Sequence, residues 1–208
     1  MRAIIFDMDG VLIDSEMRYI DLYCDFFKEE GYISSRDELK ILIGAPKEVD
    51  DEFLLKKTGT DGQRMMIKRD EFFDHHPLDY SKILKENAFE LLNKLKDKGI
   101  KIALASTSRM DLIKKVLKQC NIEPYFNCVL SGEMFVKSKP DPEIYNETCK
   151  RLGIDKKDIL VVEDSPYGIE AAKSAGLKVI GIVNKEYKVD ISKADYIVNS
   201  LEEINSFI

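Results

Sequence analysis

Two carboxylates, Asp7 and Asp9, stand two residues apart in the stretch IIFDMDGVLIDSE at residues 4–16. They follow Ile4-Ile5-Phe6, a short apolar run of the kind that forms a strand covered on both faces. Acids gathered at such a strand end repel each other unless a cation or a shared proton lies between them. Three more polar clusters follow apolar runs in the same way. Ser106-Thr107-Ser108 comes after the run at 100–105, Lys137 and Lys139 come in a loop after CVLS (128–131), and Glu163-Asp164 comes after the run at 158–162. In an open parallel sheet ligands bind beyond the carboxyl ends of the strands, so these four clusters converge on one edge. Their convergence carries more weight than any one of them.

The elements that must position them alternate. Strand-like IKIALAS (100–106) precedes the amphipathic RMDLIKKVLKQC (109–120). CVLS precedes DPEIYNETCKRLG (141–153), a helix opened by Asp141-Pro142 and closed by Gly153. DILVVED (158–164) precedes PYGIEAAKSAG (166–176), whose start Ser165 is placed to cap and Pro166 to open. KVIGIV (178–183), ADYIV (194–198) and LEEINSFI (201–208) complete the pattern. Such alternation implies an α/β fold with a parallel sheet and right-handed crossovers. Residues 15–82 break the rhythm with four helical segments: EMRYIDLYCDFFKEEG, DELKILIG, KEVDDEFLLKKTG and DGQRMMIKRDEFFDHH. The expected organisation is a core in two pieces, 1–14 and 83–208, with a helical insert at 15–82 and hinges near 14–16 and 77–83.

Composition narrows the function. The 208 residues suit one domain carrying a smaller insert. A net charge of −6 argues against a broad nucleic-acid-binding surface. No apolar run reaches membrane-spanning length and the N-terminus lacks a signal-peptide pattern, so a cytoplasmic protein is expected. Cys24, Cys120, Cys128 and Cys149 show no C-x-x-C spacing and read as reduced thiols. With His75 and His76 the only histidines, a histidine zinc site or a Ser-His-Asp triad has little to draw on.

In this order, DMDG, ALAS, SKPDP and VVEDS resemble the motifs of the haloacid dehalogenase superfamily, and the insert resembles its cap of the first type. DGVLIDSE and SKPDPEIY are close to the subgroup of beta-phosphoglucomutase and phosphoglycolate-phosphatase-like enzymes. The resemblance implies a Rossmann-like core and a phosphatase acting on a small phosphorylated metabolite, such as a sugar phosphate. It makes Asp7 the nucleophile that forms an aspartyl-phosphate. Mg²⁺ would lie between that carboxylate and the anionic ester, held by Asp7, Asp164, the Asp9 backbone carbonyl and Glu163, the last directly or through water. Asp9 would act as general acid and base. Ser106 and the Thr107 N–H would bind phosphoryl oxygens, Lys139 would balance charge in the transition state, and Gly10 would permit the tight turn. Lys47 in GAPKEVD holds the place of a basic residue that faces the substrate.

Each residue also has a plain reading. Asp7 and Asp9 could end a strand, Ser106 could cap a turn, Lys139 could be a surface lysine, and Glu163-Asp164 could be helix-start acids. Tyr19 stands where mutases of the subgroup carry a histidine, which favours hydrolysis over the alternative of a phosphomutase. A receiver-like signalling module would also pair acids with Ser/Thr and Lys, but such modules are shorter, lack a cap and carry the phosphorylated Asp on a later strand. The expected partner is a small phosphorylated metabolite, with no nucleic acid and no membrane, and the chain reads as a monomer.

Overall fold

The computed structural model describes residues 1–59 and 62–208. In chain order the elements are β1 (Ala3–Phe6), α1 (Glu16–Glu29), α2 (Arg36–Leu39), α3 (Lys47–Thr58), α4 (Gly62–His75), α5 (Ala88–Asp97) and β2 (Lys101–Ser106). Then come α6 (Met110–Gln119), β3 (Cys128–Ser131), α7 (Glu143–Leu152), β4 (Ile159–Glu163), α8 (Pro166–Ser174), β5 (Lys178–Ile182) and β6 (Tyr196–Val198). The strands form one parallel sheet in the order β3-β2-β1-β4-β5-β6. The chain builds outward from β1 on one side through β2 and β3, then crosses back to β4 on the other. The reversal beside β1 is the switch point at which such sheets bind ligands.

Alternation along the strands sorts the core into two layers. Ile4, Phe6, Leu104 and Val162 pack with Leu91 and Leu95 of α5 and with Ile113 and Val116 of α6. Ala3, Ile5, Ala105 and Val161 pack on the opposite face with Ile144 and Tyr145 of α7 and Ile169 and Ala172 of α8. By the same parity, Asp7 and Glu163 point to the α7–α8 side.

The segment between β1 and β2 carries its own apolar cluster. Met17, Ile20, Tyr23, Phe26 and Phe27 form the buried stripe of α1, and Leu39, Leu54 and Met65 close on it. DELKILIG departs from the expected helix. Only one α-turn, α2, forms, a 3₁₀ turn continues it over Lys40–Leu42, and Ile43 is extended before Gly44 at φ +62°. Four residues cannot recover the cost of helix nucleation, and only Leu39 and Ile43 of the segment are buried. The fourth expected helix begins at Asp61, which lies outside the described residues; the rest of it is α4. Both hinge stretches lie side by side. Ile13 bridges Leu84, the Asp14 N–H donates to the Ile83 carbonyl at 2.8 Å, and the Lys85 N–H donates to the Leu12 carbonyl at 2.8 Å.

Phe27 is fully buried and its ring meets those of Phe26, Tyr32 and Phe53 at centroid distances of 5.4, 6.4 and 6.2 Å. Phe27→Ala should cost about 3–5 kcal/mol in this cluster. Hydrogen exchange should then show lost protection in α1 and α3 with β1 and β4 still protected. Equal loss in the sheet would mean that the helical block and the core open as one unit.

Candidate active site

Strand register assembles the centre of the site. Phe6 pairs with Leu104 on one side and Val162 on the other, so the next residue, Asp7, comes level with Ala105 and Glu163. The Lys139 ammonium spans that row. It donates to Asp7 Oδ1 at 2.6 Å, to Glu163 Oε1 at 2.6 Å and to the Ala105 carbonyl at 3.0 Å. Both oxygens of Glu163 are engaged. Oε1 also accepts from the Tyr145 hydroxyl at 2.7 Å, and Oε2 accepts from the N–H groups of Asp164 and Ser165 at 3.1 and 3.3 Å. Ser165 caps α8 by accepting from the Gly168 N–H at 3.0 Å, and this fixes the turn that presents Asp164. At Gly168 a Cβ would lie 1.8 Å from Glu163 Oε1, so this glycine packs against a site carboxylate as well as letting the helix approach.

Asp7, Glu163 and Asp164 are all buried, and each offers a carboxylate oxygen within 4.8 Å of the others. The Lys139 ammonium stands between two of them, and the Lys85 charge acts on Asp164 from further off. With all three acids ionised, negative charge is in excess in a buried volume, and hard oxygen donors with that imbalance fit a divalent cation such as Mg²⁺. The protonation equilibria carry the same strain. Burial, reinforced by Glu163 and Asp164 and opposed by Lys139, pushes the Asp7 carboxyl well above the usual carboxylate range. Burial and the Glu163 charge push Asp164 up to about 7. For Lys139 burial acts downward, but Asp7 and Glu163 outweigh it and keep the ammonium protonated well above the ordinary lysine value.

Asp9 faces a different environment. Ser15 donates to its Oδ1 at 2.6 Å and Ser108 to its Oδ2 at 2.8 Å. Burial raises the Asp9 carboxyl while these hydroxyls pull it back. Ser106 is buried, and its oxygen accepts from the Ser108 N–H at 3.1 Å, leaving its proton free to donate. Gly10 sits at φ +71°, where a Cβ would fall 1.9 Å from Asp164 Oδ2, so the turn after Asp9 admits only glycine.

A cavity of about 410 Å³ opens from Asp9 and Thr107 toward the helical block, lined there by Tyr19, Tyr23, Lys47 and Phe73. Lys47 is on its rim, exposed, and bonded to Asp51 at 3.1 Å. Tyr19 shares a hydrogen bond of 3.0 Å with Tyr80. Asp7, Asp9, Gly10, Ser106, Lys139, Glu163 and Asp164 thus gather in one place with Thr107 at the cavity wall, whereas Lys47 touches none of them. Sequence reading passed over Ser15, Ser108, Tyr145, Tyr187 and Glu16. Ser15 and Glu16 lie in the DSE that follows the first motif and Ser108 ends the STS run, so a signal existed; the tyrosines carried none. Glu16 lines the cavity, where burial followed by Asp164, Asp9 and Asp7 raises its carboxyl well above the usual range.

This fold and site define a known class. Residues 4–182 match the haloacid dehalogenase-like hydrolase family. A phosphorylated carbohydrates phosphatase of Thermotoga maritima is 32% identical over 216 residues, covering 98% of this chain and all of the relative. Hexitol phosphatase B of Escherichia coli is 29% identical, covering 98% of this chain and 94% of the relative. The crystal structure of a beta-phosphoglucomutase from Clostridium difficile superposes with a TM-score of 0.79 at 25% identity, covering 99% and 96% of the two chains. The chain belongs to the haloacid dehalogenase-like hydrolase family.

Because Asp164 titrates near 7 in the folded chain and at about 3.9 unfolded, the folded state holds its proton more tightly. Its contribution to stability is therefore full below pH about 4 and lost as pH rises through 7. Burial of Asp7 acts in the same direction. A divalent ion that takes the proton's place should accordingly raise the melting temperature more at pH 8 than at pH 5.5. Thermal melts with Mg²⁺ and with EDTA at both pH values check this, and equal shifts would contradict it.

Proposed function

We propose that the chain is a Mg²⁺-dependent phosphatase that hydrolyses a small phosphorylated carbohydrate through an aspartyl-phosphate on Asp7. The observation that carries this reading is the buried row at the strand ends, where three carboxylates gather around the single hydrogen-bonded ammonium of Lys139. Names borne by the relatives, a phosphorylated carbohydrates phosphatase and a hexitol phosphatase, support the substrate class.

Asp7 and Asp164 would hold the ion. Glu163, with both oxygens given to protein donors, would act through water while it orients Lys139. When bound, Mg²⁺ supplies the charge neutralisation that lets a carboxylate approach a phosphate dianion. A carboxylate oxygen of Asp7 forms the new bond to phosphorus as the bond to the ester oxygen breaks. Asp9 gives its proton to that leaving oxygen, held in line by Ser15 and Ser108. Asp9 then takes a proton from the water that attacks the aspartyl-phosphate, and inorganic phosphate leaves with Asp7 restored. Ser106 and the Thr107 N–H steady the phosphoryl oxygens, while Lys139 meets their growing charge. Residues 15–82 serve as a cap domain over the core formed by 1–14 and 83–208, with Lys47 reaching the substrate from the rim.

Colorimetric phosphate release across a panel of phosphorylated metabolites, with and without Mg²⁺, tests the reading. Asp7→Asn should fold normally and lose turnover by about a thousandfold or more; substantial residual Mg²⁺-dependent hydrolysis would reject Asp7 as nucleophile. Repeated turnover also separates an enzyme from a receiver-like module, which stops after one phosphoryl group per chain.

The phosphomutase alternative needs a site for a second phosphate. At the cavity Lys47 is matched by Asp51, and Arg109 by Asp111 at 2.8 Å and Asp74 at 3.5 Å, while Lys115 lies over the Tyr80 ring, so the choice against a mutase rests on Tyr19. Tyr19, bonded to Tyr80, stands in the place of the mutase histidine. A hexose monophosphate should therefore be hydrolysed with a kcat/KM about tenfold or more above that of its bisphosphate, with no isomer formed. Isomer formation measured by phosphorus NMR would reverse the choice.

A further inference from the structure

Tyr187 lies in the loop between β5 and β6, outside the four strand-end motifs, and is 4% exposed. Its two ends have different neighbours. The ring belongs to the apolar cluster of the helical block, with Met17, Ile20 and Ile43, and apart from Val189 the cluster's other members all come from residues 17–73. The hydroxyl donates to Asp164 Oδ2 at 2.6 Å. Gly10 closes the third side, since a Cβ there would lie 2.7 Å from the tyrosine oxygen and 1.9 Å from Asp164 Oδ2. A buried carboxylate is thus held by a buried hydroxyl whose ring is anchored in another part of the molecule.

We propose that Tyr187 is a positioning residue that orients Asp164 toward Asp7 and Glu163 for a divalent cation, and that it ties cation binding to the seating of the helical block. The inference rests on the divalent-cation part of the function proposed above. Its physical basis is twofold. A donor on Oδ2 selects which carboxylate oxygen faces the other two acids and stabilises the ionised form that a cation requires, as partners of metal ligands do. A ring locked in the cap cluster keeps that donor in place only while the cluster is seated on the core. By linkage, whatever cation binding gains from the seated block is returned as stability of the seated block.

The test uses substrate-free protein and Mn²⁺ as the probe. Isothermal calorimetry should give a Kd about tenfold or more weaker for Tyr187→Phe than for wild type. In an Asp164→Asn background the same change should add less than twofold, because the hydroxyl acts through Asp164. Amide exchange in α1 should slow on adding Mn²⁺ to wild type and should not slow in Tyr187→Phe. A Kd within twofold of wild type overturns the proposal, and so does a tenfold loss that persists with Asp164→Asn. Mn²⁺ binding that leaves α1 exchange unchanged in wild type removes the tie to the helical block. Loss of cooperative melting in Tyr187→Phe also overturns it, assigning the hydroxyl to the fold. Wild type without Mn²⁺ affinity would instead overturn the cation reading itself, whereas Mn²⁺ binding without phosphate release would fault only the phosphatase reading.

Discussion

A charge imbalance buried at the ends of adjacent parallel strands governs this molecule. Asp7, Glu163 and Asp164 each offer a carboxylate oxygen within 4.8 Å of the others, and the Lys139 ammonium is hydrogen-bonded between Asp7 and Glu163. Buried charge is costly, and breaking such a group by removing one partner exposes the whole penalty. The arrangement persists because neighbouring donors are turned toward it, among them the Tyr145 hydroxyl and the N–H groups of the α8 turn. A site so constructed has a standing demand for positive charge, which a divalent cation could meet.

Strand register and the helical insert divide the remaining work. Register brings residues 7, 105 and 163 level, so one lysine reaches a carboxylate on each side and a carbonyl between. The insert leaves the core where the first motif ends and returns beside its own departure, with the two linkers hydrogen-bonded to each other. A cavity consequently lies against Asp9 and Thr107, with aromatic side chains from the helical insert and the pairs Lys47–Asp51 and Arg109–Asp111 at its rim. Within that frame two carboxylates two residues apart take different environments. Asp7 faces an ammonium and two acids, while Asp9 faces two hydroxyls. Such a difference allows one group to be a nucleophile and the other to carry a proton.

Much of this was legible from residue order. Strand-helix alternation from residue 83 onward and the helical segments before it correspond to the observed elements, because apolar periodicity reports which face of each element is buried. The polar clusters at strand ends meet because parallel strands share a direction, so a rule about chain ends becomes a rule about one sheet edge. The segment DELKILIG failed the same logic. Its apolar residues suggested a helix, but its length left tertiary contacts at Leu39 and Ile43 to choose a tighter path.

The sequence by itself determined the element order, the strand-end convergence and the family motifs, since these depend on local periodicity and on residues adjacent in the chain. Tertiary structure alone decided the second circle of partners. Tyr145 reaches Glu163 from 18 residues earlier in the chain and Tyr187 reaches Asp164 from 23 residues later, and Ser108 meets Asp9 across 99 residues. Nothing in the type of a tyrosine or serine tells which carboxylate it will face. That choice comes from packing, because a buried hydroxyl takes whichever acceptor the closed core presents within reach.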